Sequence, residues 1–241
     1  MKTTQILLTL QLITQIGAFT IHQFSPSTPS KTQLKAAPSS VEDLLSKPQV
    51  WDPIKKELDH VPVFSCANDQ GQPLQYSLGD KPVAFFFCDI DAATAELEKA
   101  KSETKLDGLR ILPFPLGEAF EMGGKQMAAI VPSANSLEAA GAPAGLNPIG
   151  QQVPLFGCME IVSNQPDGTT MTPLFFTFEE AENAMKMALG EAGVNAGGDK
   201  KFEVTVMPLV KAVQVMASDE QKSFIFEAPT SSLDYLRNSM S

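Results

Sequence analysis

The chain has 241 residues, 43% of them hydrophobic, and a formal net charge of −10 with a sequence pI near 4.7. That length holds one large domain or two small ones around a sizeable core. The acidity argues against nucleic acid as a partner, because phosphate binding needs a basic surface, and it supplies no basic patch for anionic lipid. Three cysteines, Cys66, Cys88 and Cys158, and two histidines, His22 and His60, are too few and too scattered for a disulfide framework or a zinc site.

Residues 1–41 carry no Asp or Glu, in a chain that has 28 acids. Lys2, a modest apolar stretch over 6–16 and the small pair Gly17-Ala18 read as a secretory signal peptide over 1–18, cut after Ala18. It is too short and too polar to anchor in a bilayer. The stretch 19–40, FTIHQFSPSTPSKTQLKAAPSS, is rich in Ser, Thr and Pro, contains Lys31 and Lys35, and has transit-peptide composition. A signal peptide followed by such a segment, with Phe19 at the junction, resembles the bipartite leaders of algae with secondary plastids. A secreted protein with a Ser/Pro spacer is the plainer alternative.

The body reads as an internal duplication. VPVFSC at 61–66 is matched by VPLFGC at 153–158, and PVAFFF at 82–87 by PLFFTF at 173–178. PLGEAFEM at 115–122 is matched by PLVKAVQV at 208–215, and IVPSANSL at 130–137 by EAPTSSL at 227–233. The order is kept and only the loops change length. This divides the body into a first half at 41–138, a Pro/Gly-rich linker at 139–152 and a second half at 153–238.

In chain order, 41–58 holds one or two short helices around Trp51 and Pro53, expected to cover a sheet edge. A strand at 61–66 is followed by a turn at 68–71 and a return strand at 73–78 as its hairpin partner. The unbroken apolar run 83–88 suits a strand buried on both faces. Asp89 or Asp91 caps a helix to about Lys105. A short strand at 109–112, ended by Pro113 and Pro115, a short helix through Met122 and a strand at 128–131 complete the unit. In the second half, 157–163 and 169–177 flank the hairpin dipeptide Asp167-Gly168. Thr177-x-x-Glu180 is a capping box, and its helix carries Ala181, Ala184, Met185, Ala188 and Leu189 on one stripe. After a Gly-rich loop at 190–201 come strands at 202–207 and 223–227 with a helix at 209–217 between them. The expected fold is α/β: two similar halves, mixed sheet flanked by helices, related by a pseudo-twofold.

Chemistry is harder to find. Cys66 and Cys158 share one repeat position without a basic neighbour to activate them, so each reads first as a buried hydrophobe and second as part of a redox pair. His60 beside Asp59 is half of a triad with no nucleophile signature to complete it. No phosphate-loop or dinucleotide fingerprint is present, and no cofactor is expected. Eight methionines of the body, Met122, Met127, Met159, Met171, Met185, Met187, Met207 and Met216, either fill gaps in the core or form a surface for varied apolar partners. Phe64, Phe85, Phe156 and Phe176, taken as repeat equivalents, and Met185 are the candidate groove-shaping residues. The chain is read as no enzyme. A thiol-redox protein and a carrier of an apolar small molecule between the halves stand as alternatives.

Two copies of V-P-[VL]-F, each followed by a hairpin, a P-[VL]-[AF]-F strand and a P-L-x-x-A segment, resemble the twenty-two-kilodalton subunit family of the Tic complex, the translocon at the inner envelope membrane of chloroplasts. The resemblance covers about 41–237. It implies a soluble, peripherally membrane-associated factor in the envelope intermembrane space of the plastid. Its partners would be unfolded preproteins and translocon subunits, held in chaperone-like apolar grooves without catalytic residues. The Gly-rich insert at 193–199 departs from the family pattern.

Overall fold

A strand with no polar residue has to be buried on both faces, and two such strands are the hubs of this molecule. The computed structural model describes residues 19–21, 40–78, 81–103, 108–164, 170–191, 202–218 and 223–239. The elements run β1 (Phe19–Ile21), α1 (Val41–Leu45), α2 (Pro48–Leu58), β2 (Pro62–Ala67), β3 (Gln75–Leu78), β4 (Lys81–Phe87), α3 (Ile90–Glu103), β5 (Arg110–Pro115), α4 (Leu116–Gly124), β6 (Ala128–Val131) and α5 (Ala134–Ala139). The second half continues with β7 (Pro154–Gly157), β8 (Ile161–Asn164), β9 (Thr170–Phe175), α6 (Phe178–Glu191), β10 (Thr205–Pro208), α7 (Leu209–Ser218), β11 (Phe224–Glu227) and α8 (Thr230–Ser239).

In the first sheet β4 pairs antiparallel with β2 and β3 and parallel with β6, while β5 lies outside β2. In the second, β9 holds β7, β8 and β11, with β10 outside β7. Both sheets are therefore mixed, as expected, and the halves match bond for bond. Leu116 N–H donates to the Val61 carbonyl at 2.9 Å, and Leu209 N–H to the Val153 carbonyl at 2.8 Å. Alternation along β4 then decides the layers. Val83, Phe85 and Phe87 face α3 on the outside, whereas Ala84, Phe86 and Cys88 face inward. The inward residues of both sheets, with Leu116, Ala119 and Phe120 of α4 and Leu209, Ala212 and Val213 of α7, form one continuous core.

The N-terminal helices differ from the sequence expectation. They do not cover a sheet edge. Helix α2 lies between the halves, against α4, α7 and β11, because Trp51, Ile54 and Leu58 form one buried stripe. The Trp51 ring stacks on Phe120 with centroids 5.5 Å apart. Gly117 lets α4 approach this closely, since a Cβ there would sit 2.8 Å from the Lys55 carbonyl oxygen.

Three local expectations also change. The return strand pairs with β4 and not with β2, to which only a single bridge, Ala67 to Pro73, connects it. The strand at 109–112 does not stop at Pro113 but runs on to Pro115. It is an edge strand in the sheet, where a proline without an N–H is tolerated. The stretch 157–163 is two strands, since β7 ends at Gly157 and β8 starts at Ile161. A Cβ at Gly157 would lie 2.8 Å from the Pro173 carbonyl oxygen, which explains glycine where the first copy has Ser65. Asp89 is the residue that caps α3, its Oδ1 accepting from Asp91 N–H at 2.7 Å. β1, the first three residues of the transit-like segment, pairs antiparallel with β8. The rest of the leader, the Asp167-Gly168 turn and the Gly-rich insert lie outside the described residues.

Since α2 joins the cores of both halves, Ile54→Ala should cost about 2–5 kcal/mol, and the protein should still unfold in one transition. Urea denaturation followed in parallel by far-UV circular dichroism and by fluorescence of Trp51, the only tryptophan, checks this. Two separated transitions would show halves that fold independently.

Candidate binding face

Residues directly opposite in neighbouring strands share a face of the sheet. In the first half the register aligns Val131, Phe87, Phe64 and Pro113 in one row across β6, β4, β2 and β5. In the second half the matching row is Glu227, Phe175, Phe156 and Val206 across β11, β9, β7 and β10. This register corrects the sequence alignment. Phe64 pairs with Phe87 as Phe156 pairs with Phe175, so Phe85 and Phe176 are not equivalents; Cys88 is the counterpart of Phe176. An apolar run lacks the features that would fix its phase, so matching on phenylalanines slipped by three positions.

The first row is roofed. Helix α8 crosses from the second half and lies beside α3. Tyr235 meets Phe64 edge-on with ring centroids 5.6 Å apart, and Leu236 is buried in the cluster that includes Phe64, Phe87 and Val131. The second row has no such roof. The counterpart of α8 is α5, which crosses the other way: Ser136 Oγ donates to the Phe176 carbonyl oxygen at 2.6 Å. Ser136 and Leu137 match Ser232 and Leu233. Where α8 then has Tyr235 and Leu236, α5 has Ala139 and Ala140, both exposed, and the helix ends. Phe178 is accordingly 39% exposed, whereas its counterpart Ile90 is 6% exposed. Val206, opposite Phe156, is 46% exposed.

Four of the five candidate residues are packing residues. Phe64, Phe85, Phe156 and Phe176 are all buried. Phe85 stacks on Tyr76 with centroids 4.2 Å apart, and Phe156 meets Phe178 edge-on at 5.8 Å. Phe64 and Phe156 form the floors of the two rows, while Phe176 faces the central core. Met185 is half-buried beside Cys158, Ile161 and Ala188. The residues that sequence reasoning missed are Phe178, Val206 and Glu227. Phe178 could have been found inside the Thr177 cap motif, but nothing local marks Val206 or Glu227. None of the eight body methionines is fully buried, and Met127, Met159 and Met187 are exposed. They do not fill the core.

The thiols are poorly placed for redox work. Cys66 and Cys158 lie in separate buried clusters, and burial pushes each thiol up to about 11. Cys88 is raised further by burial. The cavity where the halves meet, lined by Cys88, Ser136, Phe176 and Thr177 among others, measures about 30 Å³. That is room for water and far below what a carried small molecule needs. Asp59 bonds Lys55 Nζ at 2.6 Å, leaving His60 exposed beside it.

Glu227 is the one acid in either row. Burial, and secondarily the Glu180 carboxylate, raises its carboxyl above the ordinary range. Glu180 itself accepts from Thr230 N–H at 2.7 Å and from Thr177 Oγ at 2.8 Å. A carboxyl raised on folding makes the native state bind more protons than the unfolded one between the two pKa values. Stability therefore falls as pH rises from the unfolded value through the folded one. Glu227→Gln should raise the urea midpoint near pH 7 and leave it nearly unchanged near pH 4, and an equal effect at both would contradict this ionisation.

No protein-family model matches the chain, and no curated protein does. Solved structures do. Tic22 from Plasmodium falciparum superposes with a TM-score of 0.63 at 22% identity, covering 78% of this chain and 98% of that one. Anabaena Tic22, described as a protein of protein transport, superposes with a TM-score of 0.56 at 18% identity, covering 78% and 96%. At these identities the likeness is one of fold, and this chain has the fold of the Tic22 structures.

Proposed function

We propose that the chain is a protein-import factor of the Tic22 kind, which holds preproteins transiently on apolar surface and performs no chemistry of its own. The observation that carries the reading is the unroofed row of the second sheet, where Phe178 and Val206 stand exposed above the buried floor of Phe156. It occurs in a fold shared with proteins called Tic22, one of them described as acting in protein transport. Three exposed methionines add adaptable apolar surface, suited to clients of varied sequence. The buried, raised thiols and the small interdomain cavity favour this reading over a redox protein or a small-molecule carrier.

The leader composition adds a location. A signal peptide over 1–18 and a transit-like segment over 19–40 direct the chain to a plastid with secondary envelopes, where it works in the envelope intermembrane space. No helix among the described residues is long and apolar enough to cross a membrane, so attachment there is peripheral, through translocon subunits.

A photo-crosslinking amino acid placed at Met187, which is 54% exposed, should capture an arrested preprotein. The protein at micromolar concentration should also slow the light-scattering growth of a denatured client. Absence of both effects would overturn the reading.

A further inference from the structure

The two outer faces are built alike but finished differently, and the difference specifies an occupant. On the first sheet the row Val131, Phe87, Phe64 and Pro113 is covered by a helix of the chain itself. That helix, α8, presents Tyr235 and Leu236 to the row and places Leu233 and Leu236 against Pro113 and Pro115. Its outer side is polar, with Asp234 and Arg237 paired at 2.7 Å. This is an amphipathic helix seated on a sheet, and it shows what kind of segment such a row accepts.

On the second sheet the place of that helix is open. α5 ends at Ala139, and Gly141 follows with a φ of 94°, turning the chain away where α8 continues for two more turns. The exposed residues are those a roof would cover: Phe178 at the position of Ile90 and Val206 at the position of Pro113. One chemical change accompanies the missing roof. Where the first row has the apolar Val131, the second has Glu227, close enough to Glu180 to feel its charge. An apolar helix alone would leave that carboxylate buried without a partner, which is costly. A helix carrying a basic side chain at that end would satisfy it, and the chain's net charge of −10 would attract such a helix.

We infer that the open face of the second sheet docks a short amphipathic helix with an apolar side and basic residues, supplied by a preprotein, in the place that α8 occupies on the first sheet. This inference rests on the preprotein-binding reading and names the class of segment bound. The first face is closed to clients by α8, so the chain has one docking face and not two.

Three synthetic peptides about 14 residues long, or roughly four helical turns, test this against the isotope-labelled full chain by NMR titration. The first has Leu and Lys at helical spacing, the second Leu and Glu at the same spacing, and the third Leu and Lys in strict alternation. The helical Leu/Lys peptide should bind most tightly and perturb Phe156, Phe175, Phe178, Val206 and Glu227. Its Glu counterpart should bind about ten-fold more weakly. Val206→Lys and Glu227→Gln should each weaken the Leu/Lys helix by about ten-fold, while the folded spectrum of either variant is retained. Perturbations confined to the first sheet, tighter binding of the alternating peptide, or unchanged affinity in both variants would each overturn the inference. So would a concentration-dependent dimer that Val206→Lys dissociates, which would assign the face to a second copy. If no peptide binds yet client aggregation is still slowed, only the helix inference fails; if both effects are absent, the preprotein-binding reading fails with it.

Discussion

The insertion of α2 between the two halves is the constraint on which the rest of the structure depends. Each half on its own would expose the inner face of its sheet, with Val63 and Phe86 on one side and Leu155, Leu174 and Phe226 on the other. Trp51, Ile54 and Leu58 complete the layer of α4 and α7 that fills this space, so both sheets share one core. With the inner faces closed, the outer faces become the only places where the halves can differ. The chain uses its last helix to close one of them and leaves the other open.

The halves exchange helices to do this. α5 leaves the first half and bonds the end of β9 through Ser136, while α8 leaves the second half and covers β2 and β4. The exchange is symmetric at the helix starts, where Ser136 matches Ser232 and Leu137 matches Leu233, and asymmetric one turn later. Two alanines in place of a tyrosine and a leucine remove most of the apolar area that would hold a longer helix down. A surface feature that governs binding thus follows from the side chains at two positions on a short helix, far in sequence from the strands they would cover.

Much of the architecture was legible in the sequence, for identifiable reasons. VPVFSC and VPLFGC announce equivalent strands because proline, phenylalanine and cysteine hold fixed places in both, and the order of later matches gives the two halves. The Thr177 cap and the Ala181 to Leu189 stripe announce α6 through local hydrogen bonding and helical period. What failed was what local pattern does not encode. PVAFFF has no polar residue to set its phase, so its match slipped by three. The partner of β3 depends on sheet pairing, and the run of β5 through Pro113 depends on its being an edge. The site was less legible still. Phe64 and Phe156 were found as floors, but the exposure of Val206 and Phe178 arises from what is missing above them.

The account's central claim, that α2 belongs to the shared core, is tested most directly by native-state hydrogen exchange of the full chain. It predicts that the amides of Trp51 to Leu58 exchange as slowly as those of Phe85 to Phe87 and Thr172 to Phe175, all three opening only with global unfolding. Exchange in α2 that is orders of magnitude faster than in both strands would contradict it, and would make α2 a peripheral helix laid on two independent halves.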